Sequence, residues 1–410
     1  MPTKVFVKSK APVLVRAYNF FLFICGRIHL IKYEVDCFKY LKIFSKEKKQ
    51  TDNETSEKAL NQFLENIRSK SLNPATQIFI SGELDRVFAN RVKVVNIQNE
   101  YSNRLDEHYS DPIFITGLPR TGTTALQKMF SFLENCRVLK LWELHYPTAH
   151  LEGERAIKKA KNRTRKYAFL QNFSKPEQKY IHPVGVNEPD ECFRLLFNSF
   201  TSIAISSALG LDDYENWVME SNMLNAYQKY KVQLQILSLN NQKTQLVVKA
   251  PEHLWNINVL LKVFPSARIV MTHRDPLQAI GSYSSMISMF RRTAYKTTCF
   301  KDLGPYVIDV FEKGLKRFYK ARKNKSDNKN IVDVHCKDIQ NNPITTFKSV
   351  CRNLKINVDE KASKNLKKWI KKKKNDSPDR HKYSYTRYGV SKSIVEKKFQ
   401  FYDDKKYINN

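Results

Sequence analysis

Four short apolar runs, each passing through a polar turn into a helical pattern, constrain this chain more than anything else in it. "DPIFIT" (111–116), bounded by Pro and Gly, suits a buried strand. It leads through "GLPRTGTT" into "TTALQKMFSFLE", where apolar residues at 125, 126, 129, 130 and 133 keep a helical spacing. "QLVVKA" (245–250) runs into "PEHLWNINVLLKVF", where Pro251 suits the first helical position. "ARIVMTHR" (267–274) runs into "DPLQAIGSYSSMISMF", with Asp275 as N-cap and Pro276 as the first helical residue. "NIVDVHC" (330–336) repeats the plan and is followed by a helix after Pro343. Strands alternating with helices predict an α/β fold of three layers, a central parallel sheet flanked by helices. Ligands of such sheets bind beyond the carboxyl ends of the strands. Arg120, Lys249 and Arg274 all fall there.

The rest of the chain reads as helical. Residues 1–110 form a helical N-terminal segment ahead of a domain over 111–410, with "SKEKKQTDNETSEK" (45–58) as an exposed loop or helix start. Residues 150–240 read as a helical insertion around the site, and 378–410 as a basic, aromatic tail. Seven cysteines without a C-x-x-C pair argue against a disulfide framework or zinc site and for a reducing compartment, hence a cytoplasmic location. The net charge of +31 favours a negative partner or a solvated lysine-rich face, as in "KKWIKKKK" (367–374). "APVLVRAYNFFLFICGRIHLI" (11–31) is too interrupted to span a bilayer, because Arg16 and Arg27 leave ten residues between charges. It reads either as a membrane-interface helix or as a helix packed on the protein's own core.

The loop itself nearly matches the G-x-x-x-x-G-K-[ST] of nucleotide-binding ATPases, but Thr123 stands where the lysine belongs. A glycine-bounded turn at a helix N-terminus still favours an anion through its N–H groups and the helix dipole. Thr123 and Thr124 add hydroxyls, and the available cation is Arg120, whose fork can hold two anion oxygens. Such a site needs no metal to hold a group less charged than a triphosphate.

"GLPRTGTT" taken with "HRDPLQAIGS" resembles the sulfotransferases that use 3′-phosphoadenosine 5′-phosphosulfate. The likeness is to the P-loop-like fold of that family. "LWE" (141–143), "KAPEHLW" (249–255), "THRDP" (272–276) and "HPVGVNEPDECF" (182–193) are similar to its bacterial-type branch. The likeness runs from about residue 112 to the C-terminus. It implies that Arg120, Thr121, Gly122, Thr123 and Thr124 hold the 5′-phosphosulfate, and that Arg274 and Ser282 hold the 3′-phosphate. It also implies a small-molecule or lipidic alcohol as acceptor, with no specific nucleic-acid partner.

Sulfuryl transfer resembles phosphoryl transfer, so its catalysis is mainly positioning and charge stabilisation. Arg120 serves the transferred group, and Lys249, matching the family's strand-end lysine, serves the leaving phosphate. Glu143 is the expected general base, since several branches place a glutamate at about this distance past the loop. Next to Trp142, desolvation would raise its pKa. His182, Glu188, Asp190 and Glu191 compete with it, His182 and Glu188 also as acceptor-side residues. His253 is expected near the acceptor or behind it. "PDRHKYSY" (378–385) offers Arg380, Lys382 and Tyr383 to the adenine and 3′-phosphate. The rival readings are a P-loop kinase or ATPase, a catalytically inactive nucleotide-binding relative, and a non-enzymatic binder of nucleic acid or membrane.

Overall fold

The computed structural model describes residues 4–5, 7–51, 54–107, 109–239, 244–322, 330–376 and 380–403. Its centre is a five-stranded parallel sheet. The strands are β2 (Ile113–Gly117), β3 (Cys136–Val138), β4 (Gln245–Lys249), β5 (Arg268–His273) and β6 (Ile331–His335), ordered β3-β4-β2-β5-β6. A separate parallel pair joins β1 (Lys4–Val5) to β7 (Arg380–His381). The four long apolar runs are the four strands expected, and the buried runs of β2, β4 and β5 explain why they read as continuous rather than alternating. The edge strand β3 carries no such signature. It is three residues long with Arg137 at its middle, too short to show a period.

Strand order places β2 between β4 and β5, so the chain runs from β2 toward the β3 edge and later crosses from β4 to β5 on the other side. The crevice above its carboxyl end is where such a sheet opens for a ligand. The loop after β2, Lys249 at the end of β4 and Arg274 after β5 meet at that edge.

Helices α1 (Val13–Arg27), α2 (Cys37–Thr51), α3 (Glu54–Ser69) and α4 (Pro74–Glu100) precede the sheet. Lys and Glu are good helix formers, so α2 carries on through "SKEKKQT", and the expected helix start within 45–58 is that of α3 at Glu54. Phe44, Phe63 and Phe88 from these helices share one apolar core with Phe114 of β2 and Phe197 and Phe200 from beyond β3. The N-terminal helices are therefore packed against the sheet layer.

After β2 come α5 (Thr123–Phe130) and, beyond β3, α6 (Leu141–His145), α7 (Glu154–Ser174) and α8 (Gln178–Ile181). The same helical stretch continues as α9 (Phe193–Phe197), α10 (Ile203–Leu209), α11 (Asp212–Glu220) and α12 (Leu224–Ser238). α13 (Ile257–Val263) links β4 to β5, and α14 (Pro276–Ala294) and α15 (Leu303–Arg322) follow β5. The start of α14 is built as its sequence implies. The Asp275 carboxylate accepts from the Gln278 N–H at 3.3 Å, and Pro276 occupies the first position.

Candidate active site

The loop after β2 turns on two glycines. Gly117 has φ of 139°, and a Cβ there would lie 2.4 Å from Thr272 Oγ1 and 2.5 Å from the Thr272 carbonyl oxygen. Only glycine lets the turn pass this close to β5. Gly122, at φ 97°, caps α5. Between them Arg120 holds a positive φ of 72°, a conformation a non-glycine residue adopts at a cost of roughly 1–3 kcal/mol. That turn aims its side chain at α14. Nε donates to Ser282 Oγ at 3.2 Å and Nη1 to the Ile181 carbonyl at 2.8 Å.

Arg274 closes the same corner, its Nη1 donating to the Arg120 carbonyl at 2.7 Å and its Nη2 to Gln278 Oε1 at 3.3 Å. Burial, together with the charge of Arg274, pushes the Arg120 guanidinium down to about 10. Among the described residues neither arginine forms an ion pair. Two neighbouring guanidiniums without a carboxylate are an anion site in waiting.

Residues 117–124 do different jobs. The Thr121 hydroxyl is spent internally, donating to the Leu118 carbonyl at 2.6 Å and lying 2.5 Å from Thr272 Oγ1. Thr123 and Thr124 border the cavity described below, together with Arg120, Gly122 and Arg274. Thr124 Oγ1 accepts from Lys249 Nζ at 3.3 Å. Lys249 is fully buried and is held by Glu191, whose Oε1 lies 2.6 Å away.

Other expected site residues are distributed unevenly. His182, Glu188 and Glu191 border the cavity. Glu188 faces outward in an ion pair with Lys128 at 2.7 Å. Asp190 is buried between His182 and Arg194. Burial opposes its ionisation, but Arg194, His182 and the Glu191 N–H more than offset this and hold its carboxyl below the usual range. Glu143 is committed elsewhere. One carboxylate oxygen takes the Arg137 guanidinium and the other accepts the Lys140 N–H at 2.8 Å, closing the first turn of α6. Neither Glu143 nor His253 borders the cavity. His253 is enclosed by Tyr227, whose hydroxyl is 2.8 Å from Nδ1, and Cys192, whose Sγ is 3.2 Å from Nε2. Burial lowers its pKa to about 3, which keeps it neutral.

Tyr383 and Tyr385 lie over Gly281 of α14, where a Cβ would come within 2.6 Å of both rings. The Tyr383 hydroxyl donates to the Gln278 carbonyl at 3.1 Å. Lys382 is exposed, and the side chain of Arg380 lies outside the described residues.

The cavity beyond these cations has a volume of about 1300 Å³. Its far walls are apolar, with Phe79 of α4, Tyr167 and Phe173 of α7, Phe197 of α9, and Met286 and Phe290 of α14. Two ionisable residues in this wall escaped the sequence reading. Glu252 has one carboxylate oxygen on Ser202 Oγ at 3.0 Å and the Ala204 N–H at 3.1 Å, while the other is buried without a partner. Burial pushes it up to about 8. Lys175 is buried beside Phe290, and burial and Arg292 bring it down to about 7. Glu252 stood in plain view inside "KAPEHLW", but only the fold turns it toward the cavity. Among the described residues no group of three His, Cys, Asp or Glu side chains is arranged to hold a metal ion.

The model of the Sulfotransferase family matches residues 112–360, more than half of the chain. The chain belongs to the sulfotransferase family. Its fold is that of the sulfotransferase STF1 from Mycobacterium tuberculosis, with a TM-score of 0.75 at 22% identity over 90% of this chain and 100% of that one. STF9 from Mycobacterium avium gives a TM-score of 0.76 at 18% identity over 90% and 96% of the two chains. No curated protein sequence matches the chain. Membership assigns sulfuryl transfer in general, a fold of the P-loop-like kind, and a transferase rather than a binding module.

Proposed function

We propose that this sulfotransferase moves the sulfuryl group of 3′-phosphoadenosine 5′-phosphosulfate to the hydroxyl of an apolar small-molecule or lipidic acceptor. The observation that carries the reading is the pair Arg120 and Arg274, Arg274 donating to the Arg120 carbonyl and Arg120 to Ser282, at one end of an apolar cavity and paired with no carboxylate among the described residues. Arg120, the first-turn N–H groups of α5 and the hydroxyls of Thr123 and Thr124 receive the phosphosulfate. Arg274 and Ser282 receive the 3′-phosphate, and Tyr383 with Lys382 and Arg380 borders the adenine. A lysine in the loop, which a kinase or ATPase would require, is replaced by Thr123. The similarity of "LWE", "KAPEHLW" and "THRDP" to the bacterial-type branch supports the same donor.

In the reaction the acceptor oxygen bonds to sulfur as the bond from sulfur to the 5′-phosphate oxygen breaks. The acceptor proton passes to a base, and the leaving phosphate gains a cationic partner. Glu191 is the better-placed base, because it borders the cavity and rests on Lys249, whereas Glu143 is held by Arg137 and the Lys140 amide. The donor phosphate draws Lys249 away from Glu191, which supplies the leaving group with a cation and frees the carboxylate in one movement. Glu188 and His182 line the acceptor's approach. The seven unpaired cysteines suit a reducing compartment such as the cytoplasm.

Calorimetry with 3′-phosphoadenosine 5′-phosphate, AMP and ATP in the absence of Mg²⁺ tests the donor. The reading expects the 3′-phosphorylated nucleotide to bind at least about tenfold more tightly than AMP, as a charge-assisted contact implies. Equal affinities would remove the assignment of Arg274 and Ser282, and preference for ATP would favour a kinase.

A further inference from the structure

α1 is apolar on both of its faces. Val15, Leu22 and Cys25 are buried, and Asn19 ties the helix to α4 by accepting the Ala75 N–H at 2.9 Å. The opposite face, where a surface helix carries polar residues, instead shows Val13, Leu14, Phe20, Phe21 and Ile24. Phe20 is 67% exposed and Phe21 60%. The chain beyond the helix adds Ile28 and Leu30, the latter 70% exposed. Scattered exposed apolar residues are ordinary, but a run of this kind on one element marks a surface that something covers.

A second apolar edge lies on α7. Phe169 and Phe173 stack on one another in the open, with ring centroids 6.1 Å apart, and Leu170 lies between them. The two edges meet at the cavity. Tyr18 of α1 and Phe169, Leu170, Phe173 and Tyr180 all border it. Tyr18 and the α7 edge therefore stand at the cavity, whose wall continues through Phe173 to Phe290, while Phe20 and Phe21 lie beside it.

Charge selects the occupant. Residues 1–33 contain Lys4, Lys8, Lys10, Arg16, Arg27 and Lys32 and no Asp or Glu. α7 has the same bias, with Lys158, Lys159, Arg163 and Lys166 exposed. A second copy seated on this face would bring two surfaces of the same positive bias together, a repulsive arrangement. A bilayer with anionic headgroups matches both halves of the surface, the aromatic side chains entering the acyl boundary while the cations meet the phosphates. No described helix is long and apolar enough to cross a membrane.

We infer that the exposed face of α1 and the Phe169–Phe173 edge of α7 form one docking surface for an anionic lipid bilayer, which sets the mouth of the cavity against the lipid. The acceptor then enters from the acyl side rather than from water. That last clause rests on the proposed sulfotransfer to an apolar acceptor, whereas the docking itself does not.

Flotation of the full chain with vesicles of phosphatidylcholine alone, or mixed with phosphatidylglycerol, tests the inference. Binding to the mixed vesicles is expected, and it persists when salt is raised well above the physiological range because the apolar face contributes. Phe20→Ser with Phe21→Ser, two residues outside the cavity, should lower partitioning at least about tenfold, and Phe169→Ser with Phe173→Ser should lower it less. Replacing Lys367, Lys368, Lys371 and Lys372 by Ala on the helix Glu360–Asp376 should change salt-resistant binding little. Three outcomes overturn the inference. They are no binding to mixed vesicles, full binding by the Phe20/Phe21 variant, and a dimer in light scattering that the same two substitutions disperse. Binding of 3′-phosphoadenosine 5′-phosphate to each variant, measured in parallel, confirms that it is folded. If the wild-type protein binds vesicles but not this nucleotide, the donor assignment fails and the docking stands.

Discussion

The two ends of the cavity are built in opposite ways. The donor end is made of short, contiguous motifs at the carboxyl edge of the sheet, and its groups are cations and N–H donors held by backbone turns. The acceptor end is made of aromatic and aliphatic side chains from α4, α7, α9 and α14, residues far apart in sequence. A turn that holds an anion must keep its glycines and its arginine in order, so it can be read locally. An apolar wall needs only volume, and any large hydrophobic side chain on the right face supplies it. Chemistry is therefore fixed at one end and selectivity is free to vary at the other.

Substitutions at the two ends should separate accordingly. The largest effect is expected from Glu191→Gln, with turnover falling by about 10²–10⁴-fold while 3′-phosphoadenosine 5′-phosphate still binds. If Glu143→Gln produces that loss and Glu191→Gln does not, the base returns to α6. Arg274→Ala should weaken the 3′-phosphorylated nucleotide by about 1.5–3 kcal/mol in calorimetry and leave AMP nearly unchanged. Parallel losses for both ligands would mean that Arg274 shapes the loop rather than reading the phosphate.

Glu252, between the two ends, should make stability depend on pH. Its carboxyl is raised to about 8 in the folded chain, so above its ordinary range the folded state holds a proton that the unfolded state has released. Stability contributed by this group is present at low pH and declines as pH rises to about 8, with a slope of up to about 1.4 kcal/mol per unit. Denaturation midpoints across that window should flatten in Glu252→Gln. An unchanged slope would assign the effect to another group. The smallest change is expected at the acceptor end. Phe290→Ala should raise the acceptor KM by about tenfold, the order of a lost apolar contact, and leave donor affinity intact. A loss of donor affinity there would show that the two ends are not separable.

Legibility in the sequence follows the same division. β2, β4 and β5 stood out because strands buried on both faces read as unbroken apolar runs, the half-buried edge strand β6 stood out by repeating their strand-to-helix plan, and the Asp275–Pro276 start of α14 was visible in two residues. β3 did not stand out, with three residues and a central arginine. At the site, the spacing of Gly117, Arg120 and Gly122 was readable, and so was the placing of Arg120, Lys249 and Arg274 beyond strand ends, whereas the contact of Arg120 with Ser282 was not. What the chain does not reveal is commitment. Glu143 looks like a free carboxylate until Arg137, six positions earlier, is seen to hold it, and Glu252 looks like a surface residue until the fold buries it. Pairing and burial are tertiary properties, and neither has a local signature.

The pair of β1 with β7 aligns Lys4 with Arg380 and Val5 with His381, joining segments far apart in sequence. Nearby, Tyr383 reaches Gln278, Tyr388 reaches Ser285 at 3.1 Å, and Tyr402 reaches His273 at 3.1 Å, so the last turns of the chain close over α14 and β5. During synthesis Lys4 and Val5 have no strand partner until the segment around Arg380 has followed. The glycine loop and its helix can form early, but the corner we propose for the nucleotide is closed only when residues 380–403 have arrived. A chain stopped short of that segment would carry every signature motif and still lack a finished site.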